Sequence, residues 1–384
     1  MMKRFFLILL VCLTTLTACQ KAVNTTQTYT CTTPHEVIAS LPTVEVGQKP
    51  KNIVLIIGDG MGLPQMSTAW TANRGKLNML ACPYTGLSRT YCTDTLITDS
   101  DAGGTALACG QKTAKAHCGT DANGLAMKSL MSYAHDAGMQ TGMSIVCTLC
   151  DATPADFCCH VSDRDEYDSI CEQYLDCGVD YIVGGGMRYF TQRKDGRNIY
   201  EEMAAKGYHT YSEVEQLWQA TELPIFAVLS DDDYPKALER GNLFPRQTAL
   251  ALELLSCPKD MASDINPAFF MMVEGSCIDG WSHANVLSNV VEEMLDFDRM
   301  VGEVLRYAAE DGETLVVITA DHATGGLTLL GGNKEQGRVI GSFANDSHVD
   351  VHVPIYAYGP GAERFTGVME NAEVGQRLIE LVKQ

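Results

Sequence analysis

The chain has 384 residues, enough for one large domain or two ordinary ones. Apolar residues make up 46% and charged residues 20%, a globular balance that argues against wholesale disorder. Asp and Glu outnumber Lys and Arg 48 to 28, for a formal net charge of −20, which argues against a nucleic-acid binder because phosphate backbones need a basic surface. Such a protein can still bind an anion where metal ions reverse the sign locally, so metal ligands are the residues to look for.

At the N-terminus Lys3 and Arg4 precede the apolar run from Phe5 to Leu13, and Leu16-Thr17-Ala18-Cys19 closes it. A short basic start, an apolar stretch too short to span a bilayer comfortably and small residues at its end predict a secretory signal over residues 1–18. It is the only long apolar run, which excludes a polytopic membrane protein. The Leu-Thr-Ala-Cys ending resembles a bacterial lipobox. That resemblance implies export, with Cys19 as the lipidated first residue of a chain anchored to the bacterial envelope, periplasmic or outer-membrane. Residues 20–50 are rich in Thr, Gln and Pro without apolar periodicity and predict a tether. Of fifteen cysteines, Cys12 and Cys19 fall in the leader, leaving an odd number that cannot all pair within one chain. Cys171 with Cys177 is one candidate pair, though connectivity is not readable from sequence. Cys147 and Cys150 have no second Cys-x-x-Cys to complete a zinc set and read as small core residues.

From Asn52 the pattern changes. Asn52 to Ile57 is a continuous apolar run ending in Gly58-Asp59-Gly60-Met61-Gly62, a buried strand followed by a glycine-rich turn. The pattern repeats at Gly142–Thr148, Tyr181–Val183, Phe269–Val273, Leu315–Thr319 and Val353–Tyr358. Helical segments lie between, the clearest over about 284–309, with Met294, Phe297, Val301, Leu305 and Ala308 on one face. Fully apolar strands alternating with helices predict an α/β fold: a mostly parallel central sheet with helices on both faces. Residues 51–384 read as one domain, in which 187–262 has weaker strand signals and reads as an insertion or cap.

Polar residues able to ligate metal recur at the strand ends, where such sheets place their ligands. They are Asp59, Asp151 with Thr153, Glu274, Asp279 and His283, Asp321 with His322, and His348. Imidazoles mixed with carboxylates suit Zn²⁺, and oxygen-only sets suit Mg²⁺. Asp279-x3-His283 puts both side chains on one helical face. Ser100 opens a small-residue segment, DAGGTALACGQKT, near a helix N-terminus where backbone N–H groups welcome an anion. No histidine is close in sequence to act as its base, so its activation would have to come from a metal.

Taken together, NIVLIIGDGMG at 52–62, TDSDAGGTALACGQKT at 98–113, DATPADFCCHVSDR at 151–164, EGSCIDGWSHA at 274–284, TADH at 319–322 and SHVDVHVPIYAYGPGA at 347–362 resemble the alkaline phosphatase family over roughly residues 50–384. The resemblance implies a three-layer α/β/α fold, two zinc ions, one magnesium ion and hydrolysis of phosphate monoesters, of broad specificity, through a phosphoserine on Ser100. By motif position Asp279, His283 and His348 resemble the ligands of one zinc, and Asp59, Asp321 and His322 with Ser100 those of the other. Asp59, Thr153 and Glu274 resemble the magnesium ligands, Asp151 a residue that holds magnesium through water, and Arg164 the residue that grips two phosphate oxygens. Three divalent ions against four coordinating carboxylates leave the site net positive, and Arg164 adds to that.

Four positions depart from the pattern or compete with it. Asp101 stands beside the nucleophile where a small apolar residue is usual; its carboxylate is expected either to turn away or to bind a neighbouring cation or donor. Gly280 stands where relatives have a larger side chain near the magnesium, followed by Trp281. His352 is a nearby rival to His348, and His160 reads as a structural hydrogen-bonder. Two other functions stay open: a phosphodiesterase of the same superfamily, and a catalytically silent lipoprotein that binds metal or phosphate. Relatives are often homodimers, but no interface is visible in the sequence.

Overall fold

In the computed structural model residues 25–257 and 267–384 are described. The signal expected over residues 1–18 and the lipidation site expected at Cys19 lie outside them. The strands in chain order are β1 (Gln27–Thr30), β2 (Asn52–Gly58), β3 (Tyr84–Arg89), β4 (Gln140–Thr148), β5 (Tyr181–Gly185), β6 (His209–Tyr211), β7 (Ile225–Val228), β8 (Phe269–Gly275), β9 (Thr314–Thr319), β10 (Ala323–Thr324), β11 (Thr328–Asn333), β12 (Arg338–Ser342), β13 (His348–Val349), β14 (Val353–Tyr358) and β15 (Gly367–Glu370).

Ten of these form one sheet in the order β15-β3-β14-β9-β2-β8-β4-β5-β7-β6. Only β14 runs against its neighbours, antiparallel to both β3 and β9; every other pairing is parallel. Side chains alternate across a strand, so an all-apolar strand feeds two cores at once. Val54 and Ile56 of β2 join the core under the helices Leu63–Ala72, Leu243–Leu255 and Leu287–Asp311. Ile53, Leu55 and Ile57 join the opposite core under the helices Ser100–Cys109, Leu130–Asp136, Ala152–Cys158 and Asn371–Val382. This is the expected three-layer α/β/α arrangement. Among the described residues no helix is long and apolar enough to cross a membrane.

Two expectations need correcting. The segment 187–262 is not a cap over its described length, because β7 and β6 extend the central sheet and Leu243–Leu255 covers β4. Its signals are weak because β6 is three residues long and half-exposed. The segment 20–50 is not a free tether from Gln27 onward. There β1 pairs antiparallel with β12, and Ile38, Leu41 and Val44 pack on the core. His35 bonds Asp298 at 2.7 Å. Backbone pairing needs no apolar periodicity, so the sequence pattern is silent about it.

Candidate active site

Four central strands, β2, β4, β8 and β9, end side by side, and each delivers polar residues to the same rim. Asp59 follows β2 in a tight turn. Gly60 there has φ +71°, and a Cβ on it would lie 2.8 Å from the Asp279 Cα, so only glycine lets the turn close on that neighbour. The Gly60 N–H donates to Asp321 Oδ1 at 3.3 Å, tying the β2 turn to the end of β9. Glu274 sits within β8, and the helix Cys277–His283 follows it with Asp279 and His283 one turn apart, Oδ2 to Nε2 at 3.1 Å. Asp151 caps the helix Ala152–Cys158, placing Thr153 in its first turn.

Ser100 is the first residue of the helix Ser100–Cys109. The cap itself is Asp99, which accepts from the Ala102 N–H at 3.0 Å and from the Ala116 N–H at 2.8 Å. Ser100 is thus free of capping duty at a positive helix end. Its Oγ lies 3.1 Å from His322 Nε2, a histidine 222 residues away in sequence.

His348 reaches the site because β13 pairs with β10, aligning His348 with Thr324. Its ring stacks on that of His322 with centroids 3.6 Å apart. His348 Nδ1 donates to the Thr98 carbonyl at 2.8 Å and His283 Nδ1 to the Asp346 carbonyl at 2.7 Å. With both Nδ1 positions committed, the two Nε2 atoms face each other at 3.0 Å. Two lone pairs at that distance repel unless a cation lies between them. A proton can serve without metal: the hydrogen bond to Asp279 pushes His283 up to about 9, while burial pushes His348 down.

The carboxylates tell the same story. Burial first, then the negative charge of neighbouring acids, raises Asp59 far above the carboxylate range and pushes Asp321 and Glu274 each up to about 8. Asp279 is the exception. Burial works to raise it, but His283, His322 and His348 together hold it low. Asp59 Oδ1 and Asp321 Oδ2 are buried without a hydrogen bond. Buried acids of one sign with unpaired oxygens are the mark of a site built for cations. Donor atoms of Asp279, His283 and His348 lie within 4.8 Å of one another, as do those of Asp59, Asp279 and His322. Asp321 Oδ2 adds itself at 3.1 Å from His322 Nε2. Zinc fits this mixture of imidazole and carboxylate.

Arg164 lines the same cavity of about 380 Å³ as Ser100, Asp59, Asp279 and His283. It donates through Nη1 to Asp101 Oδ2 at 2.9 Å and through Nη2 to Asp151 Oδ1 at 2.7 Å. Asp101 therefore binds a cation, one of the two outcomes expected of it, and its other oxygen accepts from the Cys118 thiol at 2.9 Å. Burial pushes Asp101 up to about 6 against the opposing pull of Arg164.

The residues singled out in the described sequence thus converge on one rim. His352 is exposed and stands apart from the three-histidine cluster, and His160 Nδ1 is taken by the Gly119 carbonyl at 2.8 Å. Sequence reasoning missed Thr324, whose hydroxyl bonds both Asp279 and His322. Thr324 stands in no pattern that marks it. Cys147, read from the sequence as a small core residue, also brings its thiol to 3.6 Å from Glu274 Oε2. Lys236 and Trp281 also line the cavity.

Comparison with known proteins gives the chain its relatives. Residues 50–342 match the family model described as alkaline phosphatase. The chain is 29% identical to alkaline phosphatase 4 of Bacillus subtilis over 416 aligned positions, covering 87% of this chain and 89% of that protein. It is 33% identical to the repressible alkaline phosphatase of Saccharomyces cerevisiae over 316 positions, 73% of this chain and 56% of that one. Among solved structures, a variant of the alkaline phosphatase from the Antarctic bacterium TAB5 with Mg bound in its M3 site superposes with a TM-score of 0.81 at 32% identity, covering 88% of this chain and 99% of that one.

Proposed function

Because the chain belongs to the alkaline phosphatase family of hydrolases, we propose that it cleaves phosphate monoesters to an alcohol and inorganic phosphate through a phosphoserine on Ser100, with two zinc ions and one magnesium ion. The observation that carries this reading is Ser100 itself. Its hydroxyl stands at a helix N-terminus, 3.1 Å from His322 Nε2, in one cavity with Arg164 and the uncompensated acids.

Asp279, His283 and His348 would hold one zinc, and Asp59, Asp321 and His322 the other, with Ser100 Oγ completing it. Asp59, Thr153 and Glu274 would hold the magnesium, with Asp151 reaching it through water. Bound divalent ions supply Lewis acidity, which lowers the pKa of an oxygen acid and neutralises charge around phosphorus. The chain's own groups do the rest. Ser100 Oγ attacks phosphorus in line with the departing alkoxide, and the first N–H groups of its helix face the equatorial oxygens. Arg164 has five N–H donors; Asp101 and Asp151 take one each, so the guanidinium is fixed in orientation and keeps donors for phosphate. Water entering from the side vacated by the alcohol releases phosphate and restores Ser100. None of these groups reads the alcohol, so broad specificity follows. The sequence of residues 3–19 supports export and a lipid anchor on Cys19.

The test uses purified protein supplied with Zn²⁺ and Mg²⁺. p-Nitrophenyl phosphate should turn over, and acid quenching with labelled phosphate should leave an acid-stable label on Ser100. Ser100→Ala should lose the label and at least ~10³-fold in kcat. Faster turnover of bis-p-nitrophenyl phosphate would favour a phosphodiesterase, and no turnover of either a silent binder.

A further inference from the structure

Five free cysteines cluster in the sequence between 150 and 177: Cys150, Cys158, Cys159, Cys171 and Cys177. The Cys150 and Cys171 sulfurs are 2.9 Å apart, and both residues are fully buried. That is inside ordinary sulfur–sulfur contact and about 0.9 Å from the covalent length of roughly 2.05 Å. The Cys158 and Cys177 thiols lie within hydrogen-bonding reach of each other as a second pair, both half-buried. A metal is not the reason for this crowding. Among the described residues no three of these cysteines bring their sulfurs close enough to hold one ion.

We propose that Cys150 with Cys171, and Cys158 with Cys177, are two disulfide-forming pairs. Their placement gives the links a consequence. Cys150 immediately precedes Asp151, and Cys158 ends the helix that carries Thr153. Cys171 lies in the helix Tyr167–Gln173, which begins shortly after Arg164, and Cys177 follows it. The two links interleave in sequence, so the segment 150–158 is tied twice to 171–177. The loop closed by Cys150 and Cys171 contains Asp151, Thr153 and Arg164. Oxidation would thereby fix the arginine relative to the acids it must face.

The chemistry needs an external acceptor, a small-molecule or protein disulfide. One cysteine thiolate attacks the donor disulfide and releases one donor thiol, leaving a mixed disulfide. The paired thiolate then attacks the protein sulfur of that bond and releases the second donor thiol. Two electrons and two protons pass from each cysteine pair to the donor.

The experiment uses the full purified protein with oxidised and reduced glutathione, in one arm incubated folded and in another refolded from denaturant. Each sample is acid-quenched, blocked with N-ethylmaleimide in denaturant and digested without reduction. The expected result is one peptide pair joined through Cys150 and Cys171 and another through Cys158 and Cys177, each lighter by two hydrogens and separated by dithiothreitol. Cys171→Ser should remove the first link and keep the second. Blocked thiols at all four positions in both arms would overturn the proposal, as would a link between Cys171 and Cys177. On wild type, dithiothreitol should lower the melting temperature by several degrees, as expected for losing cross-links of this loop length. A melting temperature indifferent to reductant would also overturn it.

Discussion

Two clusters of buried acids among the described residues are treated in opposite ways. In the first, Glu293 and Asp296 of the helix Leu287–Asp311 are buried against Arg240, which bonds both; the Nε to Asp296 Oδ2 distance is 2.9 Å. Arg299 adds a bond to Asp296 Oδ1 at 3.0 Å. In the second, Asp59, Glu274 and Asp321 are equally buried, yet among the described residues none is paired with a lysine or arginine. Burying an ion costs several kcal/mol unless a partner offsets it. At the first cluster the fold supplies guanidinium groups from within. At the second the missing positive charge is to come from outside.

Arg240→Ala should separate the two clusters most clearly. Removing the internal cation leaves Glu293 and Asp296 as unpaired buried charges, and such losses cost ~3–5 kcal/mol. Chemical denaturation should show that loss, while kcat per folded molecule stays at the wild-type value. A fall in kcat without a fall in stability would mean that this cluster serves the site, and the contrast would fail.

The contrast also explains what was legible in the sequence. The site was, because Asp59, Glu274 and Asp321 follow or end strongly apolar strands, and such strands are unmistakable: every residue of β2 and β8 is buried. The architectural cluster was not. Glu293 and Asp296 sit among the polar positions of a long amphipathic helix, and nothing in their spacing says that Arg240 will cover them. The same holds for β1, recruited by backbone pairing with β12, and for the sulfur pairs, where Cys171 meets Cys150 at a separation of 21 residues rather than the sequence-near Cys177. Side chains joined only by tertiary packing leave no trace in local pattern.

Removing the metals tests the other half. Burial and neighbouring acids push Asp321 and Glu274 up to about 8 in the metal-free protein, so the fold holds protons there that the unfolded chain has released. Stability from these groups is therefore full below the ordinary carboxylate pKa of about 4 and is lost as pH rises towards 8. Chelated protein should melt lower at pH 8 than at pH 5.5, and Asp321→Asn should flatten that drop. Zn²⁺ and Mg²⁺ at about a hundred times their dissociation constants should return roughly 2.7 kcal/mol per site at pH 8. A chelated protein equally stable at both pH values would mean that these acids are compensated after all.

Asp101 lies between the two patterns and carries the smallest effect. It is an acid within the site that the chain does compensate, since Arg164 Nη1 bonds one oxygen and the Cys118 thiol the other. The pairing comes at the expense of phosphate, because Asp101 both neutralises Arg164 and repels a dianion. Two unit charges about 5 Å apart interact by roughly 3 kcal/mol at an effective dielectric of 20. The guanidinium between them offsets much of that, leaving about 1 kcal/mol, or a several-fold change in affinity. Asp101→Ala should therefore lower the inhibition constant of inorganic phosphate about 3- to 10-fold. The chemical step should stay intact, because Asp151 still holds Nη2 at 2.7 Å and keeps the arginine aimed. Asp101→Asn removes the charge while preserving a hydrogen-bonding oxygen, so it should tighten phosphate to the same degree; if only the alanine variant does so, the cause is space rather than charge. Phosphate inhibition unchanged in both variants would show that Asp101 is already neutral where phosphate binds, and the site would then be fully uncompensated except at Arg164.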